Sequence, residues 1–210
     1  MNLDTRSSYD RLAMEYANRI YAELQHKPFD CKMLDWLIEK VDGVGSLCDI
    51  GSGPGQIARY LRDHGAEVSG VDLSPEMVNT AQKLNPDISF QTGDMRALSQ
   101  IPDNTFGGIA AFYCILHVPH GEVMGALQEL KRILRPNGVL LLTFHIGSEI
   151  RHVEELWGEA VTLDFIFFER EEMKGYLQSA GFQLVEVIER DPYPEVEVQT
   201  RRAYIFAAKV

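Results

Sequence analysis

Leu47-Cys48-Asp49-Ile50-Gly51-Ser52-Gly53-Pro54-Gly55-Gln56 is the stretch whose reading decides the fold. A short strand runs straight into a glycine-rich turn, and a helical pattern over residues 56–63 follows at once. That succession opens a βαβ unit, and open α/β sheets bind ligands at such strand ends. Outward from it, residues 46–50, 67–71, 88–91, 107–112 and 139–145 read as short, nearly continuous apolar strands, the signature of a parallel sheet covered on both faces. Helices are expected between them at 56–63, at 75–83 with Ser74 as N-cap and Pro75 at its first position, and at 122–134, closed by Pro136-Asn137-Gly138. A further helix at 172–180 stops at Gly181, and two β-rich segments, 182–189 and 202–209, form a terminal antiparallel pair. The pattern predicts a doubly wound, mostly parallel seven-stranded α/β sheet with an antiparallel terminal strand. An amphipathic helix at 8–24 precedes it, and an insertion at 146–170 follows the fifth strand.

Of 210 residues 45% are apolar and 24% charged, with a net charge of −11. A chain of this size buries roughly 70% of its unfolded surface, enough for a core without metal or disulfide staples. Cys31, Cys48 and Cys114 are odd in number and unpaired in spacing, which suggests a reducing compartment and excludes a zinc or thioredoxin motif. The opening MNLDTRSSYDRL lacks the apolar stretch of an export signal, so a cytoplasmic location is expected. The most apolar stretch, 139–144, falls far short of the ~20 residues needed to span a bilayer, so no membrane partner is expected. Excess acid and scattered Lys and Arg argue against a nucleic acid partner. The whole chain reads as one domain: an N-terminal helical lid over 1–44, a ligand-binding core over 45–145, a substrate-side insertion over 146–170 and a terminal helix with antiparallel strands over 171–210.

Three elements carry the chemistry. Gly51 permits a tight turn and Gly53 close backbone approach. Asp72 ends the next strand, where a carboxylate either accepts both ribose hydroxyls of a nucleoside or caps the helix at Pro75. Gly93-Asp94-Met95 follows the third strand and puts an acceptor where an adenine amino group would lie, with Met95 against the ring. A dinucleotide loop would read GxGxxG, whereas its sixth position here is Gln56, which disfavours NAD.

Together these residues resemble the class I S-adenosylmethionine-dependent methyltransferases of small-molecule type, a Rossmann-like family. The resemblance rests on Asp49-Ile50-Gly51-Ser52-Gly53-Pro54-Gly55, Val71-Asp72-Leu73-Ser74-Pro75-Glu76-Met77 and Gly93-Asp94-Met95. Ile115-Leu116-His117 and Leu134-Arg135-Pro136-Asn137-Gly138 add to it, over roughly residues 45–145. It implies that Gly51 and Gly53 face the methionine moiety and Asp72 the ribose, and that Asp94 and Met95 hold adenine. It further implies that the Phe112 carbonyl accepts from the cofactor ammonium, with Asp49, Leu73 and Met77 in the same site. Tyr9 to Tyr16 look like the lid helix of such enzymes, Tyr16 covering the cofactor. Many relatives carry Cys or Thr where Ser52 stands.

Methyl transfer from a sulfonium is an in-line displacement, accelerated mainly by holding donor and nucleophile together in a dry site. A base is optional. His145 at the end of the fifth strand is the favoured candidate, with His117 and His152 behind it, since histidine suits proton transfer near pH 7. Each could equally serve structure. The spacing of His117, His120, His145 and His152 gives no i, i+4 pair, and no metal is expected. Trp157, Phe165, Phe167 and Phe168 either line an acceptor pocket or fill the core. The reading is a methyltransferase, monomeric or homodimeric, acting on oxygen, nitrogen or sulfur of a small acceptor. A non-catalytic cofactor-binding partner or sensor is the alternative, and an NAD-dependent oxidoreductase a weaker one.

Overall fold

The computed structural model describes residues 3–210. Helix α1 (Leu3–Ile20) and a 3-10 turn (Glu23–His26) lead into α2 (Pro28–Lys40). The core alternates β1 (Leu47–Ile50), α3 (Gln56–Asp63), β2 (Val68–Asp72), α4 (Pro75–Leu84), β3 (Ser89–Thr92), β4 (Phe106–Phe112), α5 (His120–Ile133) and β5 (Leu134–His145). A hairpin, β6 (Ile150–Leu156) and β7 (Glu159–Ile166), precedes α6 (Arg170–Ser179), β8 (Phe182–Arg190) and β9 (Arg202–Lys209).

The seven-stranded sheet runs β3-β2-β1-β4-β5-β9-β8, and the strand order reverses at β1 and β4. All pairs from β3 to β5 are parallel, while β9 is antiparallel to both its neighbours. The expected fold is therefore the observed one. Alternation along each strand divides the core into two layers. Leu140, Leu142 and Phe144 of β5 point to the side of α5 and α6, and Val139 and Leu141 to the side of α2 and α3.

Four differences from the sequence reading have identifiable causes. First, β5 begins at Leu134 rather than at 139, because Leu134 pairs with Phe106 across a bulge, with Asn137 taking the left-handed conformation at φ 64°. Second, α1 begins earlier than residue 8 and yields to a 3-10 turn after Ile20. Third, α2 lies in a segment expected to form part of the cover, yet its Met33, Leu34 and Leu37 pack into the core beneath the sheet. Fourth, the insertion is a β-hairpin, and its turn is Trp157-Gly158, both at positive φ (56° and 88°), the geometry of a tight two-residue loop.

This hairpin and α1 cover the sheet edge together. Leu12 of α1 packs with Val161 and Leu163 of β7, and the Thr162 amide donates to Ser8 Oγ at 2.9 Å. Ser74 caps α4 by accepting from the Met77 amide at 3.0 Å and itself donates to Asp10 Oδ1 at 2.6 Å, which ties α1 to the core. Among the described residues no helix is long and apolar enough to cross a membrane.

Candidate active site

A cavity of about 1140 Å³ opens at the C-terminal ends of β1, β2, β4 and β5, beneath α1 and the hairpin. Small-molecule pockets usually span roughly 300–1,000 Å³, so the space suits two ligands side by side.

Its floor is the glycine turn. A Cβ on Gly51, whose φ is +69°, would fall 2.3 Å from the Cβ of Cys114, so the glycine lets the turn lie flat against the end of β4. At Gly53 a Cβ would meet only the Tyr16 ring at 3.7 Å and Gln56 Oε1 at 4.0 Å, so this backbone is open to the cavity. Asp72 lines the same end. Its carboxylate accepts from the Gly53 amide at 2.8 Å and the Ser74 amide at 2.9 Å, so it braces the turn and the start of α4 while facing the cavity. Burial pushes its pKa up to about 6 against those two amides, with Asp10 adding to the rise.

Leu73, Met77, Met95 and Phe112 also line the cavity. Asp94 does too, but its carboxylate is already engaged: Arg96 reaches it from Nη2 at 2.7 Å, from Nε at 2.9 Å and through its backbone amide at 3.0 Å. Although burial opposes the charge, Arg96 holds this carboxyl below the usual range. Asp49 does not reach the cavity. Its Oδ2 accepts from the Ala58 amide at 3.0 Å, capping α3 from the strand below, and burial raises its pKa to about 8.

The three histidines part company. His117 lies in the cavity wall with both ring nitrogens engaged, Nδ1 2.9 Å from the Asp164 carbonyl and Nε2 2.7 Å from the Tyr9 hydroxyl. A carbonyl only accepts, so Nδ1 carries the proton and Nε2 accepts from Tyr9. Burial lowers its pKa to about 4. His145 lines the chamber at the end of β5, stacked on Phe167 and bonded through Nδ1 to Thr200 Oγ1 at 2.6 Å. Burial, reinforced by Arg202, lowers its pKa to about 3. His152 sits outside the cavity on the exposed hairpin, bonded to Asp164 Oδ1 at 2.7 Å. Among the described residues no three His, Cys, Asp or Glu side chains gather as a metal site.

Tyr16, Trp157, Phe165 and Phe167 form the apolar roof, and the Trp157 ring lies 5.6 Å from Tyr16. Phe168 is buried in the main core instead. The far wall holds groups the sequence reading passed over. Tyr113, left-handed at φ 51°, is pinned by its amide on Thr143 Oγ1 and carries its hydroxyl to Tyr204 at 2.9 Å. Lys27, Glu197 and Arg202 stand beyond it. Nothing local in the sequence marks the last three, which come from segments distant along the chain.

Two buried polar atoms in the cavity wall lack partners, Ser52 Oγ and Gln56 Oε1. Both flank the glycine turn. Both atoms are enclosed by protein, Ser52 Oγ lying 3.0 Å from where a Cβ on Gly70 would stand. The open backbone of Gly53 and the Asp72 carboxylate fit a nucleoside better than a pyrophosphate, for which a helix N-terminus would have to be open.

Residues 48–142 match the model of a methyltransferase domain. The malonyl-[acyl-carrier protein] O-methyltransferase of Salmonella typhimurium is 27% identical over 156 residues, 72% of this chain and 57% of that protein. The demethylmenaquinone methyltransferase of Tropheryma whipplei is 29% identical over 149 residues, 66% of this chain and 58% of that protein. The chain thus spans little more than half the length of these relatives. Among solved structures, the DhpI–SAH complex superposes with a TM-score of 0.73 at 19% identity, over 96% of this chain and 94% of that one. The [4+2]-cyclase SpnF superposes at 0.66 with 20% identity, over 85% and 81%. Such likenesses define the fold, and the cyclase illustrates that one fold carries several chemistries.

Proposed function

We propose, from the match of residues 48–142 to the methyltransferase domain model, that the protein transfers a methyl group from S-adenosylmethionine to an oxygen, nitrogen or sulfur nucleophile of a small-molecule acceptor. The observation that carries this reading is the continuity of one cavity, from the open backbone of Gly53 and the Asp72 carboxylate to the aromatic chamber under the hairpin.

S-adenosylmethionine, when bound, supplies a methyl group activated by its sulfonium. Gly51 and Gly53 give the amino-acid end of the cofactor room, and Asp72 offers carboxylate oxygens to the ribose. Leu73, Met77 and Met95 provide apolar surface for adenine. Tyr16, Trp157 and Phe165 exclude water, and their fixed rings narrow the approach of the acceptor. His117 and His145 are neutral at pH 7, and neither titrates near it. The chain therefore works chiefly by positioning, where effective molarities of about 10⁵ to 10⁸ M are attainable. His145 orients an acceptor through its Nε2.

Calorimetry with S-adenosylmethionine, S-adenosylhomocysteine and NAD tests the first half, and a turnover assay with labelled methyl donor against phenols, amines, thiols and carboxylates tests the second. Binding of the two adenosyl compounds but not NAD, with turnover of one acceptor class, is the expected result. Binding without turnover of any class would make the chain a cofactor sensor, and binding of NAD alone would overturn the reading.

A further inference from the structure

His145 ends β5 at the far side of the chamber, stacked on Phe167 with ring centroids 5.4 Å apart. Arg151 of β6 also lines the cavity, its guanidinium carbon 4.8 Å from the centre of the same Phe167 ring. Its ion pair with Glu149, at 2.6 Å, lies at the surface, both side chains being about half exposed. Such pairs contribute little, so the guanidinium can exchange Glu149 for an acidic ligand. Arg202 and Lys27 line this wall too, and both are buried. They share Glu197, at 3.2 and 3.8 Å, with Arg190, so one carboxylate is divided among three cations, although Glu23 and Asp30 offset part of the charge of Lys27 and Arg190. The field at His145 is positive: after burial, Arg202, Lys27 and Arg151 push its pKa down while Glu197 opposes them.

The chamber offers no base matched to neutral pH. Burial holds His117 at about 4 and His145 at about 3, and Asp72, at the other end of the cavity, is tied to two amides. A nucleophile must therefore arrive ready to react. At pH 7 a carboxylic acid, with a pKa of about 4, arrives ionised, whereas a thiol (about 8.5), a phenol (about 10) or an alkylammonium (about 10.4) must first lose a proton. A neutral aromatic nitrogen needs no base, but it would leave its new positive charge beside Arg202, Lys27 and Arg151. The apolar roof favours the same class. A carboxylate and a sulfonium give two neutral products, so their charges fade toward the transition state, and Tyr16, Trp157 and Phe165 solvate the separated ions poorly. Val196 and Val198, exposed on the segment between β8 and β9, add apolar surface at the mouth for the rest of the molecule.

We infer that the acceptor is a carboxylic acid with an apolar body, held by Arg151 and methylated on its carboxylate to give the methyl ester. The inference rests on the methyltransferase reading and names the substrate class within it. A lone pair of the carboxylate oxygen forms the new O–CH3 bond as the C–S bond of the donor breaks, its electron pair going to sulfur. No proton is released, which is why a chamber without a base suffices. Arg151 contacts the acceptor, while Arg202 and Lys27 act through their field.

The test is turnover by the whole chain, with methyl-labelled S-adenosylmethionine, of octanoate, phenylacetate and 4-phenylbutyrate beside phenols, amines and thiols of matching size. Alkali frees labelled methanol from a methyl ester but not from a methyl ether, amine or thioether, so the readout identifies the bond formed. Alkali-labile product from an acid, in preference to product from the other classes, is the expected result. Arg151→Met should lower kcat/KM for that acid about 10- to 150-fold, chiefly through KM, with S-adenosylhomocysteine affinity unchanged, and Arg151→Lys should recover part of the loss. Thermal unfolding of each variant separates binding from folding. Preference for a phenol, amine or thiol, cofactor binding without methylation of any acid, or full activity in Arg151→Met would each overturn the proposal. A parent that binds neither S-adenosylmethionine nor S-adenosylhomocysteine would instead remove the methyltransferase reading, and the acceptor class with it.

Discussion

Residues in this site act through partners that no local motif reveals. Asp72 does both things its position in the sequence allows: it faces the cavity and accepts from the Gly53 and Ser74 amides. Asp72→Ala should therefore weaken S-adenosylhomocysteine roughly 10- to 150-fold through loss of a charge-assisted contact and also lower the unliganded melting temperature. Calorimetry beside thermal unfolding reads both effects, and a variant with unchanged affinity would reduce the carboxylate to a brace. His145 is the opposite case, a base candidate that the chamber disarms. A general base contributes about 10² to 10⁴ when its pKa lies near the working pH, whereas burial holds this imidazole at about 3. On the proposed methyltransferase reading, His145→Gln should thus cost no more than about tenfold in kcat, and neither protein's profile should show a histidine titration between pH 5 and 8. A larger loss with an inflection near pH 6.5 would reinstate proton transfer.

At the scale of elements, the junction of β1 and α3 shows how a strand serves its neighbour. Gly55, which precedes α3, has no side chain to cap it, and Asp49 supplies the cap from within β1 by accepting from the Ala58 amide. Burial raises its pKa from the usual ~3.9 to about 8, so the protonated form is the one the fold favours. A group with a raised folded pKa gives its full stabilisation below the unfolded value and loses it as pH rises through the folded one. Asp49→Asn keeps the acceptor and cannot ionise. Its melting temperature relative to the parent should therefore climb as pH rises from 5 to about 8 and level off above that. A constant difference across this range would mean that Asp49 is ionised throughout. The hairpin is the other informative element: β6 and β7 form a separate two-stranded sheet, stable here because α1 lies across it and supplies the apolar partner that two strands alone lack.

Across the whole molecule, a buried ionic cluster joins α2, β8, β9 and the segment between those last two. Arg190, only 9% exposed in its side chain, pairs with Asp30 at 3.1 Å and with Glu197, and donates to the Tyr204 hydroxyl at 2.8 Å. Removing one member of such a set strands the other charges in the interior. Arg190→Met should cost about 3–5 kcal/mol, read as a lower urea midpoint at unchanged slope; a loss under about 1 kcal/mol would show that water reaches the freed carboxylates. This cluster also marks the boundary of what the sequence can disclose. The apolar runs, the glycine turn and Ser74-Pro75 determined by themselves the sheet, its parallel core and the ends of β1 and β2 that carry Gly53 and Asp72, because period, capping and backbone freedom act over a few neighbouring residues. The antiparallel end pair was legible for the same reason. Tertiary structure alone decided that Asp94 is taken by Arg96, that His117 and His145 stay neutral, and that α2 joins the core. Each of these depends on which charges and apolar surfaces meet across the fold, and desolvation and pairing are set by those meetings, not by the order of residues along the chain.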